Sequence, residues 1–170
     1  MQQTLPAKGA IDFLAKFTSS EQFEKTFREG MSLVEETANY LDGEGRLDSK
    51  LLERSGAIAY ATESMRLTTR LMQMASWLLL QRAIAAGELS PSDMNREKHR
   101  INLSEIGRGN PVKGAELLPA GLIALVDHSL NLLERIRKLD SMLVPNVADN
   151  DSENPVANQI TMLQRALNAG

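Results

Sequence analysis

The sequence has no cysteine, which excludes a disulfide framework, a thiolate zinc site and a cysteine nucleophile. Its two histidines, His99 and His128, both lack metal-ligand spacing to a carboxylate. A di-iron site in a helical bundle needs Glu-x-x-His pairs on facing helices, and none is present. No apolar run approaches the roughly 18 to 20 residues of a membrane span. The opening Met1-Gln-Gln-Thr-Leu-Pro6 lacks the basic start and apolar stretch of a secretory signal, so the expectation is a cytoplasmic protein. Charge of one sign is also lacking. A net charge of −3 and a pI near 5.5 give no global attraction for phosphate backbones.

What is present is ample apolar material. At 170 residues and 42% hydrophobic content, the chain is the size of one domain and can bury a core unaided. The spacing of its apolar residues is helical throughout, which predicts an all-α protein with three long helices, a long connection before the third and flexible termini. Three segments follow: an N-terminal arm over 1–17, with an apolar patch at Phe13, Leu14 and Phe17; a helical-bundle domain over 18–144; and a flexible tail over 145–170.

The first helix starts at Thr18-Ser-Ser-Glu21, which has capping-box spacing. Phe23, Phe27, Met31, Val34, Ala38 and Leu41 carry it to Asp42-Gly43. The second starts near Ser49 or Ile58 and ends at Gly87. Its Met65, Leu67, Leu71, Met72, Met74, Ala75, Leu78 and Leu79 fill an arc wide enough to pack on two neighbours. Between Gly87 and Glu116 lies the long connection, in which Ser90-Pro91 can open a short helix. The third long helix runs from about Leu117 or Pro119 to Val144, with Leu122, Ile123, Leu125, Val126, Leu130, Leu133, Ile136, Leu139 and Leu143 on its apolar face. In the tail, Val156, Ile160, Leu163 and Leu167 repeat at a 4-3-4 spacing, the mark of a short amphipathic helix.

Chemistry is thinly represented. Glu35 and Glu36 are adjacent and so diverge on a helix, and Ser64 and Ser76 lie inside a helix with no histidine nearby. Gly107-Arg-Gly109 with Lys113 has neither the Walker nor the dinucleotide spacing. The expectation is no catalytic residue, no cofactor and no metal. The stripe Glu63, Arg66, Arg70, Gln73, Trp77, Leu80 and Ile84 changes from polar to apolar along one line of the second helix. Either the loop after residue 87 folds over its apolar end, or it is a partner-binding surface, since exposed apolar patches with Trp and Arg are typical of interfaces. A DNA-associated regulator using Arg96, Lys98, Arg100 and Arg108 is one alternative. An unrecognised helical enzyme or ligand-binding protein is another.

The stretch Tyr60-Ala-Thr-Glu-Ser-Met-Arg-Leu-Thr-Thr-Arg-Leu-Met-Gln-Met-Ala-Ser-Trp-Leu-Leu-Leu-Gln-Arg82 resembles the signature of the RcdA family, regulators of CtrA degradation. Phe27 to Gly43 is similar to that family's first helix, and Ser129 to Asp140 is compatible with its last. The resemblance covers roughly residues 20–144. It implies a homodimeric three-helix bundle in the cytoplasm of an alphaproteobacterium. It also implies an adaptor in regulated proteolysis, which works through protein–protein interaction. Such an adaptor helps deliver cell-cycle regulators to the ClpXP protease together with a response regulator and a cyclic-di-GMP effector. These partners come from the resemblance and from nothing in the spacing.

Overall fold

The computed structural model describes residues 15–143, and every regular element in that range is helical. Residues 15–18 are helical, and five further α-helices follow one another: α1 (Glu21–Asp42), α2 (Glu44–Lys50), α3 (Arg54–Ala85), α4 (Pro91–Arg100) and α5 (Ala120–Leu143). A 3-10 turn, Ala115–Leu117, precedes α5. Two compact units are distinguished, one ending at Leu139 and one beginning at Asp140, of which only the last turn of α5 is described. No helix among the described residues is long and apolar enough to cross a membrane.

Local chemistry sets the boundaries. Ser20 caps α1, its hydroxyl accepting from the Phe23 amide at 3.2 Å. That places Phe23, not a Glu, at the third helical position, so the capping box expected from Thr18 to Glu21 does not form. Gly43 ends α1, and α2 then turns one short step before the chain enters α3. The sequence reading missed α2 because seven residues carry too little periodicity to identify. At the far end of α3, Gly87 adopts φ +70°. Its amide donates to Ile84 and that of Glu88 to Ala83, closing both orphan carbonyls in the Schellman pattern. Ser90 caps α4, accepting from the Asp93 amide, with Pro91 at the first helical position, as the Ser-Pro pair predicts.

The three long helices meet at a glycine. A Cβ on Gly30 of α1 would lie 2.7 Å from Leu78 Cδ1 of α3 and 3.8 Å from Leu132 Cδ2 of α5. The buried line of α1 is therefore Phe23, Thr26, Gly30, Leu33 and Thr37. The expected line through Val34 and Ala38 is turned to solvent. Close helix approach selects small residues, which a hydrophobicity pattern reads as neutral. Around this point Leu67, Leu71, Met74, Leu78, Leu122, Leu132, Leu133 and Ile136 form the core.

Two further expectations are corrected here. Met65, Met72 and Leu79, placed in the packed arc of the second long helix, are exposed, so that arc is narrower than its composition implies. Ile123 on α5 is exposed as well, while Ser129 and Leu132 take inward positions. Of the arm, Phe17 packs edge-on against Phe23 with ring centroids 5.4 Å apart. Phe13, Leu14 and the tail helix lie outside the described residues.

Candidate functional site

The stripe along α3 divides between the interior and its rim. Arg70 is fully buried and Trp77 only 2% exposed, and Leu80 is buried with them. These three are not a free partner surface, which corrects that half of the sequence expectation. Glu63, Arg66, Gln73 and Ile84 are half-buried.

What covers the stripe's polar end is the chain after α4, and arginines hold it there. Arg70 Nε donates to the Ile106 carbonyl at 2.8 Å, Nη2 to Gly107 at 3.2 Å, and Nη1 to the Ser129 hydroxyl of α5 at 2.7 Å. Arg66 Nη1 donates to the Asn110 carbonyl at 2.9 Å and to Glu63 at 2.7 Å. From α5, Arg137 donates to the Leu103 carbonyl through Nε and Nη2, at 2.8 and 2.6 Å, and to Ser104 at 3.1 Å. The Gln73 side-chain oxygen accepts from the Asn102 amide at 3.0 Å. Asn102 in turn accepts from the Ser104 and Glu105 amides, making a side-chain-capped turn. Carbonyls that would otherwise be left without donors under a loop are thus matched to fixed guanidinium forks.

Burial lowers the Arg70 pKa, with Glu63 opposing and Arg108, Arg66 and Arg137 reinforcing the shift. The hydrogen-bond partners of this buried cation are two carbonyls and a hydroxyl rather than a carboxylate. Arg137 and Ser129 were not singled out from the sequence, since their role depends on two segments far apart in the chain.

A second cluster joins α1 to α5. Glu29 accepts from His128 Nε2 at 2.9 Å and from Arg135 in a short contact. The Arg135 hydrogen bond is the main cause of a lowered Glu29 pKa; desolvation opposes it and His128 adds to it. His99 is exposed on α4, its ring nitrogen 2.6 Å from the Asn95 carbonyl oxygen. Among the described residues no group of three His, Asp or Glu side chains is placed to hold a metal. A depression of about 480 Å³ beside this cluster is lined by Glu36, Tyr40, Glu44, Gly121 and His128 among others.

The basic residues named for nucleic acid are exposed but interleaved with carboxylates. Arg96 lies 4.0 Å from Asp93, Arg100 3.2 Å from Glu97, and Arg108 2.8 Å from Asp127.

The outer face of α3 is the feature the sequence reading placed wrongly. Its exposed residues from the N-terminal end are Arg54, Ile58, Ala61, Met65, Thr68, Thr69, Met72, Ser76, Leu79 and Arg82. Ile58 is 56%, Met65 71%, Met72 65% and Leu79 53% exposed. Between the two arginines this face carries no charge, and its large apolar residues recur every seven positions. That heptad interval, together with the missing charge, is the signal that was available in the sequence.

The sequence matches the model of the family described as "Protein of unknown function (DUF1465)" over residues 14–167. It is also similar to the crystal structure of RcdA from Caulobacter crescentus at 50% identity. That match covers 76% of this chain and 96% of the other, with a TM-score of 0.59. No curated protein matches it.

Proposed function

The chain belongs to the DUF1465 family, the family of RcdA, and from that premise we propose that it is a non-enzymatic adaptor on a three-helix-bundle scaffold. In this reading it acts in the cytoplasm as a homodimer and promotes ClpXP-dependent degradation of cell-cycle regulators such as CtrA. It does so by binding cargo and the protease system together with a response regulator and a cyclic-di-GMP effector. Half of the aligned residues being identical, over nearly the whole of the Caulobacter chain, is the observation that carries it.

The physical case is that an adaptor needs rigid surfaces rather than reacting groups. Tethering raises the local concentration of cargo at the protease without any bond being made. The connection Ile101–Asn110 is such a surface. Arg66, Arg70 and Arg137 hold its carbonyls, so a partner meets a loop already ordered and binding has less entropy to overcome. Arg66 and Gln73, with Glu63 on Arg66, lie at its base on α3; these three and Ile84 are the residues we assign to cargo, with Arg70, Trp77 and Leu80 buried behind them. A DNA-binding reading has less to rest on, because each of its arginines faces a carboxylate.

The test is reconstitution of ClpXP with the cognate response regulator, the cyclic-di-GMP effector and candidate cell-cycle substrates. Degradation of at least one substrate is expected to accelerate when this protein is added. Unchanged rates for all candidates, with every other component active, would overturn the reading.

A further inference from the structure

We infer that the cavity between α1 and α5 is a separate binding site, which receives the arginine side chain of a partner protein. It stands on its own geometry and does not depend on the adaptor reading.

The cavity lies where α1 ends and α2 and α5 begin. Glu36, Asn39 and Tyr40 come from the last two turns of α1 and Glu44 from the start of α2, while Gly121, Ala124, Leu125 and His128 belong to α5. Its volume of about 480 Å³ falls at the lower end of the range for ligand pockets, roughly 300–1,000 Å³, which suits one long side chain better than a large molecule.

Tyr40 is a fixed wall of this cavity. A Cβ on Gly45 would lie 2.5 Å from Tyr40 Cε1, and one on Gly121 would lie 2.5 Å from Cε2, so only glycine on both sides lets the ring take this position. The two glycines stand at opposite edges of the ring and hold it in place. The Tyr40 hydroxyl is buried and makes no hydrogen bond among the described residues, a condition that native interiors seldom leave unanswered. Burial, with Tyr60 and Asp48 adding, raises the Tyr40 pKa, so the oxygen stays neutral and able to accept.

The rest of the lining is rich in acceptors and negative charge. On α1 the ion-paired carboxylates are Glu24 and Glu29. Glu36, and Glu44 on α2, are exposed and have no ion pair among the described residues. His128 engages Glu29 through Nε2 at 2.9 Å, which leaves Nδ1 as the acceptor of the neutral ring. Between Arg28 and Arg46 the chain carries Glu29, Glu35, Glu36, Asp42 and Glu44 and no lysine or arginine. The last turn of α1 has no basic residue to meet its C-terminal carbonyls, where a cation is favoured. The N-terminus of α5 opposes this field with roughly half a positive charge, too little to offset two carboxylates.

The field selects a cation, and the lining selects its kind. A guanidinium carries donors and no acceptor, in a rigid plane that suits carboxylates and an aromatic wall together. Its aliphatic stem matches the apolar floor made by Ala124 and Leu125. A lysine ammonium is a strongly hydrated point charge and gains less from such a wall.

The experiment titrates the full chain with a short glycine–serine peptide that has capped ends and one central arginine, following backbone amide shifts by NMR. Saturable shifts are expected at Asn39, Tyr40, Gly121 and Ala124. The same peptide with citrulline, which keeps the shape of arginine without its charge, is expected to give none. Glu36→Gln and Glu44→Gln are each expected to weaken binding roughly tenfold with the thermal melt unchanged, because both side chains are exposed. Glu35→Gln removes the same charge from the adjacent position, which does not line the cavity, and is expected to leave the affinity within about twofold.

No shifts at these residues up to roughly 5 mM peptide would overturn the site. Equal weakening by Glu35→Gln and Glu36→Gln would overturn it as well, reducing it to general attraction by an acidic surface. A lysine peptide that binds as tightly would overturn the choice of arginine, and free arginine that binds more tightly than the peptide would overturn a protein as its source. ClpXP rates enter none of these outcomes, so the site and the adaptor reading fail independently.

Discussion

Glu29 shows how much one side chain can do at a helix contact. Its carboxylate lies between His128 and Arg135 of α5, and the Arg135 hydrogen bond holds its pKa below the ordinary 4.5. The folded chain therefore binds that proton less readily than the unfolded one. The resulting stability is fully present above the unfolded pKa and is lost as pH falls through the folded one. Acid titration of thermal stability should thus show wild type and Glu29→Gln converging as pH drops below about 4.5. A constant gap between them across that range would show that the Glu29 charge contributes nothing.

At the scale of elements, the contrast is between two faces of α3. The inner line carries Leu67, Arg70, Leu71, Met74, Trp77 and Leu78, all buried, while the outer line carries Ile58, Met65, Met72 and Leu79 in solvent. Trp77 belongs to the inner line. Trp77→Ala should therefore cost about 3–5 kcal/mol of folding free energy through the cavity it leaves, read by urea denaturation. A variant that kept its stability and lost only a partner would return Trp77 to the interface role expected from the sequence. The connection after α4 is an element of a different kind. Its order comes from guanidinium groups on α3 and α5 rather than from a repeating backbone pattern, so periodicity could not reveal it.

For the molecule as a whole, Gly30 is the point where α1, α3 and α5 come together, and its neighbour Leu78 has no room to retreat, being fully buried. Gly30→Leu is expected to destabilise the entire chain by about 1–3 kcal/mol through overpacking. Helicity and the fluorescence of the single tryptophan should then fall in one coincident transition, as a shared core demands. Non-coincident transitions would mean that the helices do not depend on one core. The sequence by itself determined the helical class, the two long helices that end at Gly43 and Gly87, the short helix opened by Ser90-Pro91 and the third long helix before Pro145. Capping groups, helix breakers and apolar spacing act within a few residues, and one sequence displays them directly. Family membership was legible for a similar reason, since the stretch from Tyr60 to Arg82 is continuous. Tertiary structure alone decided which side of each helix faces inward. Gly30, Thr26 and Thr37 are buried because two other helices approach there, and Met65, Met72 and Leu79 are exposed because no element among the described residues covers them. It also decided that Arg70 lies inside, because its counterparts are carbonyls contributed from far along the chain, at Ile106 and Gly107. Burial is a property of the pair in contact, and a pattern along one chain records only one partner of each pair.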